Sequence, residues 1–219
     1  MKKFLPMLGW MVLLGFMITI ALRWQINGWG SFAWLGFIIA ISVIRAPYAK
    51  RNKINTITDR KSVGLERLLL TLVAIGGTFI PLIYLTTGIS SFANYRLSDV
   101  AVIAGIVLMI PTLWLFWRSH IDLGRNWSVT VELREDHSLV TSGVYQRIRH
   151  PMYTALWLGF GLQPLFVQNW IAGFGGLIGF GLMYVLRVPY EEAMMREQFG
   201  AAYDNYCTRS GRLIPKFGK

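Results

Sequence analysis

Several apolar runs in this chain of 219 residues are long enough to cross a lipid bilayer, and they restrict its fold more than any other feature. A transmembrane helix needs about 20 consecutive, mostly apolar residues. The composition agrees with this, because 54% of the residues are hydrophobic and only 15% are charged. The sequence therefore predicts an all-α polytopic membrane protein.

About six transmembrane helices are predicted. The first four are expected from about Phe4 to Leu22, Trp29 to Ile44, Leu68 to Ile89 and Val100 to Trp117. The last apolar block, Thr154 to Leu186, is too long for one span, and polar residues interrupt it. We therefore predict that this block forms a helical hairpin, which brings the total to six spans.

The basic residues predict the orientation of these spans. The chain has 22 Lys and Arg residues. Twenty of them lie in the N-terminus, the 45–67 loop, the 118–149 loop and the tail, whereas the two loops expected on the other side of the membrane hold only Arg23 and Arg96. Because Lys and Arg accumulate on cytoplasmic loops, we expect both termini in the cytoplasm. The location expected for the protein is a bacterial inner membrane. The net charge of +11 then reflects topology and contact with anionic membrane lipids, so no nucleic-acid partner is predicted.

A polar stretch from Arg118 to His150 divides the chain into two regions. Residues 1–117 hold the first four spans and a basic cytoplasmic loop. Residues 118–219 hold the polar stretch, the helical hairpin and a polar tail that is expected to be partly helical. Apolar and polar residues alternate from Trp127 to Leu133, which predicts a small β-hairpin in the polar stretch.

The segment from Ser142 to Tyr153 concentrates basic and phenolic side chains just before an apolar run. Pro151 disfavours the helical conformation for His150 and suits the first turn of a helix. His150 and Tyr153 should therefore lie where a polar loop enters the membrane. Residues 187–192 flank the other end of the same hairpin, so the two segments are expected to be close in space.

Two structural alternatives compete with a functional role for the residues after the hairpin. Arg187 and Glu191 have the spacing of a surface salt bridge on one helix face. Pro189 could instead begin a new helix with Glu191 in its first turn, where an acidic side chain suits the helix dipole.

No metal site is predicted, because the three histidines lack metal-ligand spacing; they are His120, His137 and His150. The single cysteine, Cys207, excludes an intrachain disulfide framework and is expected to be a free thiol.

Five short elements of the C-terminal region occur in a recognisable order. They are His137-Ser-Leu-Val140, Thr141-Ser-Gly-Val-Tyr145, Arg149-His-Pro-x-Tyr153, Arg187-x-x-x-Glu191-Glu192 and Phe199-Gly-x-x-Tyr203-x-x-Tyr206. Together they resemble the isoprenylcysteine carboxyl methyltransferase family of integral membrane enzymes, which is related to phospholipid N-methyltransferases. The resemblance covers roughly Gly124 to Pro215, and the first four spans match only in character.

The resemblance implies that S-adenosylmethionine is the methyl donor and that it binds in a cytoplasm-facing pocket capped by the C-terminal helix. It implies that Arg187 binds the carboxylate of the acceptor. It also implies donor contacts from nine residues, namely His137, Ser138, Leu139, Val140, Tyr145, His150, Pro151, Tyr153 and Glu191.

The expected reaction is O-methylation of a carboxylate on an isoprenylcysteine-like, lipophilic acceptor that enters from the bilayer, with Arg187 and Glu192 as catalytic residues. Phospholipid amine N-methylation is the runner-up. An amine must lose a proton, and Glu192 or His150 would then be the candidate base. A non-catalytic membrane scaffold or a transporter is the alternative from another class. The spans contain few ionisable residues, which favours the enzyme.

Overall fold

The computed structural model describes residues 14–52, 63–124 and 138–217. Its helices are α1 (of which residues 14–22 are described), α2 (Trp24–Asn27), α3 (Gly30–Asn52), α4 (Val63–Ala74), a π-helix (Ile75–Phe79), α5 (Ile80–Thr87), α6 (Asp99–Leu123), α7 (Pro151–Phe166), α8 (Trp170–Phe199) and α9 (Ala201–Arg209). Within the described ranges there is no β-strand, which confirms the predicted all-α class.

Four segments are long and apolar enough to cross a membrane, and they confirm an integral membrane protein. They are Gly30–Ala49, Gly64–Thr87, Asp99–Leu123 and Trp170–Phe199. The second of these joins α4, the π-helix and α5. The predicted span from Phe4 to Leu22 lies largely outside the described residues, and α7 has only 16 residues. The structure thus supports four spans, and the count of six stays a prediction.

Two further predictions concern the β-hairpin in the polar stretch and the helix start at Pro189. The predicted β-hairpin around residues 127–140 lies mostly outside the described residues, since 125–137 are not described. The proposed new helix at Pro189 is wrong, because α8 continues through this proline from Trp170 to Phe199. A proline removes one helical hydrogen bond. Val188 and Glu192 are only 1% and 2% exposed, and their packing on both sides of Pro189 holds the helix together.

Glycines allow α8 to approach the π-helix very closely. A Cβ atom on Gly76 would lie 2.2 Å from the carbonyl oxygen of Gly175. A π-helical turn leaves carbonyl groups without their usual helical partner. The side-chain amide of Gln163 on α7 donates to the Gly76 carbonyl at 3.2 Å and to the Ala172 carbonyl at 2.8 Å. Gln163 therefore joins α7, α8 and the π-helix inside the apolar part of the protein.

The turn between α7 and α8 is fixed by Asn169, which is fully buried. Its side-chain oxygen caps α8 by accepting from the backbone N–H groups of Ile171 and Ala172. Its side-chain amide donates to the Ser90 carbonyl at 2.6 Å and to Asn94 Oδ1 at 2.8 Å. The predicted break in the last apolar block is thus a tight helical hairpin attached to the loop after α5.

Gly76→Ala should destabilise the protein, because the added methyl group would collide with the backbone of α8. We expect a loss of about 1–3 kcal/mol, seen as a lower apparent melting temperature in detergent. Gly161→Ala on α7 is the matched control, since a Cβ there meets nothing within 4 Å. Equal melting temperatures for the two variants would contradict the close packing of α8 on the π-helix.

Candidate functional site

A cavity of about 410 Å³ lies among α3, α4, α6, α7, α8 and α9. Its apolar part is formed by the membrane helices and includes Phe37, Ile41, Val73, Leu156 and Phe160. Its polar part lies where the loop before α7 meets the second half of α8 and includes Tyr145, His150, Arg187, Glu191 and Tyr203. One continuous space therefore offers polar groups at one end and an apolar lining at the other.

The structure brings most of the predicted site residues to this cavity. Those that line it are Ser138, Leu139, Val140, Tyr145, His150, Tyr153, Arg187 and Glu191. Pro151 begins α7 as predicted but is not among the described lining residues. Glu192 is also not among the described lining residues. His137 lies outside the described residues.

Asp122 near the end of α6 fixes the short turn that carries Tyr145. This turn, Gly143–Gln146, is a 3₁₀ helix. Its Val144 N–H donates to Asp122 Oδ2 at 2.9 Å, and Arg118 pairs with the same carboxylate at 2.6 Å. Gly143 has a φ of +61°, and a Cβ there would lie 2.1 Å from Asp122 Oδ2. Only glycine fits this position without strain.

Glu191 presents a partly exposed carboxylate to the cavity. The Tyr153 hydroxyl donates to Glu191 Oε2 at 2.8 Å, and His150 Nδ1 lies 4.0 Å from Oε1. The Glu191 side chain is 28% exposed. An ionised carboxylate can accept about four hydrogen bonds, so Glu191 can accept further donors from a ligand.

Three phenols at the polar end stay protonated near neutral pH and can donate hydrogen bonds. Burial raises the pKa of Tyr145 well above its usual range, and Glu191 raises it further. Burial also raises the pKa of Tyr206 to about 12 and shifts the pKa of Tyr203 upward. The Tyr206 hydroxyl donates to the Tyr145 carbonyl at 2.5 Å, which joins α9 to the turn after α6.

The Glu192 carboxylate is buried and bound by cationic groups. Its side chain is 2% exposed. Arg212 donates to both oxygens, through Nε at 3.0 Å and Nη2 at 2.6 Å. His150 Nε2 and Arg149 Nε lie 3.2 and 3.4 Å from Oε1. These contacts connect the loop before α7 to the chain after α9 and favour a structural role for Glu192.

Residues 210–217, which we call the C-terminal segment, run beside the loop before α7. The Gly211 N–H donates to the Arg147 carbonyl at 2.9 Å, and the Arg149 N–H donates to the Gly211 carbonyl at 2.8 Å. The His150 N–H donates to the Arg212 carbonyl at 3.0 Å. The C-terminal segment thereby fixes the backbone that carries His150. Sequence reasoning missed this pairing, because backbone hydrogen bonds leave little trace in side-chain identity.

Arg187 lines the cavity beside two charged residues from other helices. Its Nε lies 3.8 Å from Glu66 Oε1 on α4, and its side chain is only 10% exposed, so Arg187 is largely buried rather than at the surface. Arg45 on α3 lines the same cavity. Sequence reasoning counted Arg45 only as a topological charge. Its position directly after an apolar run was the available signal.

This geometry defines a class: an all-α membrane protein whose cavity has a polar end and an apolar end. Residues 101–197 match the sequence model of the isoprenylcysteine carboxyl methyltransferase family. This region of the chain is therefore similar to that family, which confirms the resemblance noted in its motifs.

Curated relatives have similar sequences over part of their length. Protein-S-isoprenylcysteine O-methyltransferase B of Arabidopsis thaliana is 31% identical over 97 residues, which cover 43% of this chain and 49% of that protein. The enzyme named protein-S-isoprenylcysteine O-methyltransferase in Schizosaccharomyces pombe is 31% identical over 101 residues, 43% of this chain and 41% of that protein. The chain spans about half the length of the curated methyltransferases that it matches.

A longer and weaker match has a different name. The nickel-cobalt-cadmium resistance protein NccN of Alcaligenes xylosoxydans xylosoxydans is 24% identical over 175 residues, which cover 79% of this chain and 73% of that protein. Within the part of the chain that the structure describes, no group of three His, Cys, Asp or Glu side chains could hold a metal ion. The similarity to this relative thus extends over more of the chain than the similarity to the methyltransferases does.

Arg212→Ala should loosen the C-terminal segment, because Glu192 would lose the only partner that binds both of its oxygens among the described contacts. We expect a loss of about 1–3 kcal/mol in stability and faster proteolysis after Ser210. Arg212→Lys should fall between this variant and the wild type. Arg209→Ala on the exposed side of α9 is the control. Unchanged proteolysis of Arg212→Ala would show that Glu192 does not anchor the segment.

Proposed function

We propose that the protein is an S-adenosylmethionine-dependent methyltransferase that methylates a carboxylate on a lipophilic acceptor. The observation that carries this proposal is the cavity in which Glu191, Tyr153 and Arg187 lie beside an apolar lining from the membrane helices. The match to the family model over residues 101–197 and the names of the Arabidopsis and Schizosaccharomyces relatives support the same reaction. An isoprenylcysteine-like molecule fits both ends of such a cavity.

The polar end has the chemical groups that the methyl donor requires. Glu191 can accept from the ribose hydroxyls or the ammonium group, and the Tyr153 hydroxyl holds its carboxylate in place. Aromatic rings can face the positive sulfonium, and Tyr145 and Tyr203 line this part of the cavity. Ser138, Leu139, Val140 and His150 complete the proposed donor site, and the family resemblance adds His137 and Pro151.

In this proposal the chain's residues position two ligands and move no proton. The donor supplies an electrophilic methyl group on a sulfonium, which a carboxylate oxygen can attack in line to leave an ester and a neutral thioether. Arg187 would orient the carboxylate with two parallel hydrogen bonds. A carboxylate is already ionised near pH 7, so the reaction needs no general base. Most of the rate enhancement then comes from holding the reacting atoms in line.

An amine acceptor would need a general base, and the candidates are Glu192 and His150. The geometry argues against Glu192. Glu192 has both oxygens bound by Arg212 and is not among the described residues lining the cavity. His150 does line the cavity and is the better candidate. Phospholipid N-methylation thus stays the runner-up, with His150 as its base.

We further propose the six-span topology with both termini in the cytoplasm. The 20 Lys and Arg residues on one set of loops support this orientation. The contact between His150 and Glu192 supports a hairpin whose two ends lie at one membrane surface, with Asn169 at the other. In this proposal residues 118–219 bind the donor, and residues 1–117 supply the rest of the membrane-embedded lining.

Donor binding is the most direct test. Wild-type protein in nanodiscs should bind S-adenosylmethionine or its demethylated product in calorimetry. Glu191→Ala should weaken binding by about 1.5–3 kcal/mol, because a charge-assisted hydrogen bond is lost. Glu197→Ala, an exposed acid on the same helix, is the control and should bind normally. No binding to the wild type would refute the enzyme and favour a scaffold or a transporter.

The pH profile and the product identify the acceptor. With an S-prenylated cysteine probe, a carboxylate acceptor should give a rate that is roughly flat from about pH 6.5 to 8, whereas an amine acceptor should give a rate that rises with pH. Arg187→Lys keeps the charge but loses the planar fork, so kcat/KM should fall at least about tenfold while donor affinity changes little. The labelled product should be base-labile. A base-stable methyl group recovered in lipid would contradict carboxylate methylation.

A further inference from the structure

The C-terminal segment carries exposed apolar side chains beside exposed cations. Ile214 and Phe217 are 78% and 75% exposed. The guanidinium of Arg147 lies 5.0 Å from the centroid of the Phe217 ring, and Lys216 Nζ donates to the Thr208 carbonyl. The ion pairs found among the described residues involve other cations, so neither of these two charges is neutralised by a carboxylate there. The surface is therefore both apolar and positively charged.

Contacts with the membrane helices place this surface at one end of the apolar part of the protein. Leu213 packs against a buried cluster that includes Leu69 of α4 and Phe180 of α8. The segments that contain these two residues are long and apolar enough to cross a membrane. The Leu213 carbonyl also accepts from the Thr154 hydroxyl, in the first turn of α7, at 2.7 Å. Ile214 is the next residue, so its exposed side chain lies where the bilayer is expected to begin.

A bilayer surface that contains anionic phospholipid has the matching chemistry. Large apolar side chains next to Lys and Arg are typical of segments that lie in the membrane interface, where the apolar groups enter the head-group region. The phosphates of the lipid heads then attract the neighbouring cations. Each cation held near an anionic lipid surface strengthens the attachment about fivefold. Because Leu213 already packs on membrane helices, lipid is the partner that reaches Ile214 without any further assembly.

We infer that Ile214, Phe217, Arg147 and Lys216 form a membrane anchor that binds anionic phospholipid, and that this attachment keeps the donor site ordered. The C-terminal segment links the two, because the Arg212 carbonyl accepts from the His150 N–H and the Arg212 side chain binds Glu192. Release of the anchor would loosen the backbone that carries His150. The effect on the donor site rests on the proposed function, whereas the contact with lipid does not.

Quenching of a fluorophore by lipid tests the contact itself. The fluorophore would be attached to Ile214→Cys or Phe217→Cys of the full chain, each combined with Cys207→Ser to remove the native thiol. In nanodiscs that contain anionic phospholipid, a nitroxide near the head-group end of the acyl chains should quench both. Glu197→Cys, about 15 Å beyond Arg187 along α8, is the control and should keep its emission. Equal emission at all three positions would overturn the anchor.

Donor affinity in two lipid mixtures tests the effect on the site. Wild type should bind S-adenosylmethionine at least about threefold more tightly in nanodiscs of phosphatidylcholine with about one third phosphatidylglycerol than in phosphatidylcholine alone. Arg147→Gln combined with Lys216→Gln should remove this difference. Arg209→Gln, which removes an exposed cation from α9, is the control and should keep it.

The outcomes separate this inference from the proposed function. Equal donor affinity of wild type in the two mixtures would overturn the link between the anchor and the donor site. An equal loss in Arg209→Gln would also overturn it, because a general effect of charge would then explain the result. Absence of donor binding in both mixtures would refute the proposed function, and lipid quenching would still decide whether the anchor exists.

Discussion

The buried carboxylate of Glu192 is the interaction on which the polar end of the protein depends. A charge that is 2% exposed is tolerated only when it is paired, and Arg212, Arg149 and His150 provide the partners. These partners come from the loop before α7 and from the C-terminal segment, which are distant in sequence. The pairing therefore determines where His150 lies relative to α8, and through α8 where Glu191 and Arg187 lie. An error of about 1 Å in such positions can substantially reduce the rate of the proposed methyl transfer.

The two neighbouring acids of α8 have different surroundings and therefore different uses. Glu192 points among cations and away from the described cavity lining, whereas Glu191 is held by a neutral tyrosine and lies in that lining. Successive helix positions differ by about 100°, so adjacent residues face different parts of the protein. One acid can then stabilise the fold while the other receives a ligand. This assignment explains a Glu-Glu pair without requiring both carboxylates to act in the same reaction.

Much of the architecture was predictable. The apolar composition of the membrane helices reveals where they lie, and the order of the motifs along the chain identifies most of the site residues. The ends predicted for the spans near α3, α4 and α6 differ from the observed ends by one to six residues, and most of the motif residues do line one cavity. Arg212 was missed because its partner is 20 residues away and the contact depends on the path of the C-terminal segment. The continuity of α8 at Pro189 was missed because tertiary packing outweighs a local helix breaker. Arg45 was missed because a membrane-surface arginine has a sufficient topological explanation.

The division of the cavity suggests which part of an acceptor is discriminated most strongly. A hydrophobic wall distinguishes one methylene group from none by only about 1–3 kcal/mol, and it rejects related chains poorly. Four methionines in the lining make the wall still more adaptable; they are Met152, Met183, Met194 and Met195. A carboxylate head beside Arg187 would instead gain charge-assisted hydrogen bonds that a neutral head cannot form. Selection in the proposed enzyme should therefore act mainly on the charge of the head group, with wide tolerance for the length and branching of the chain.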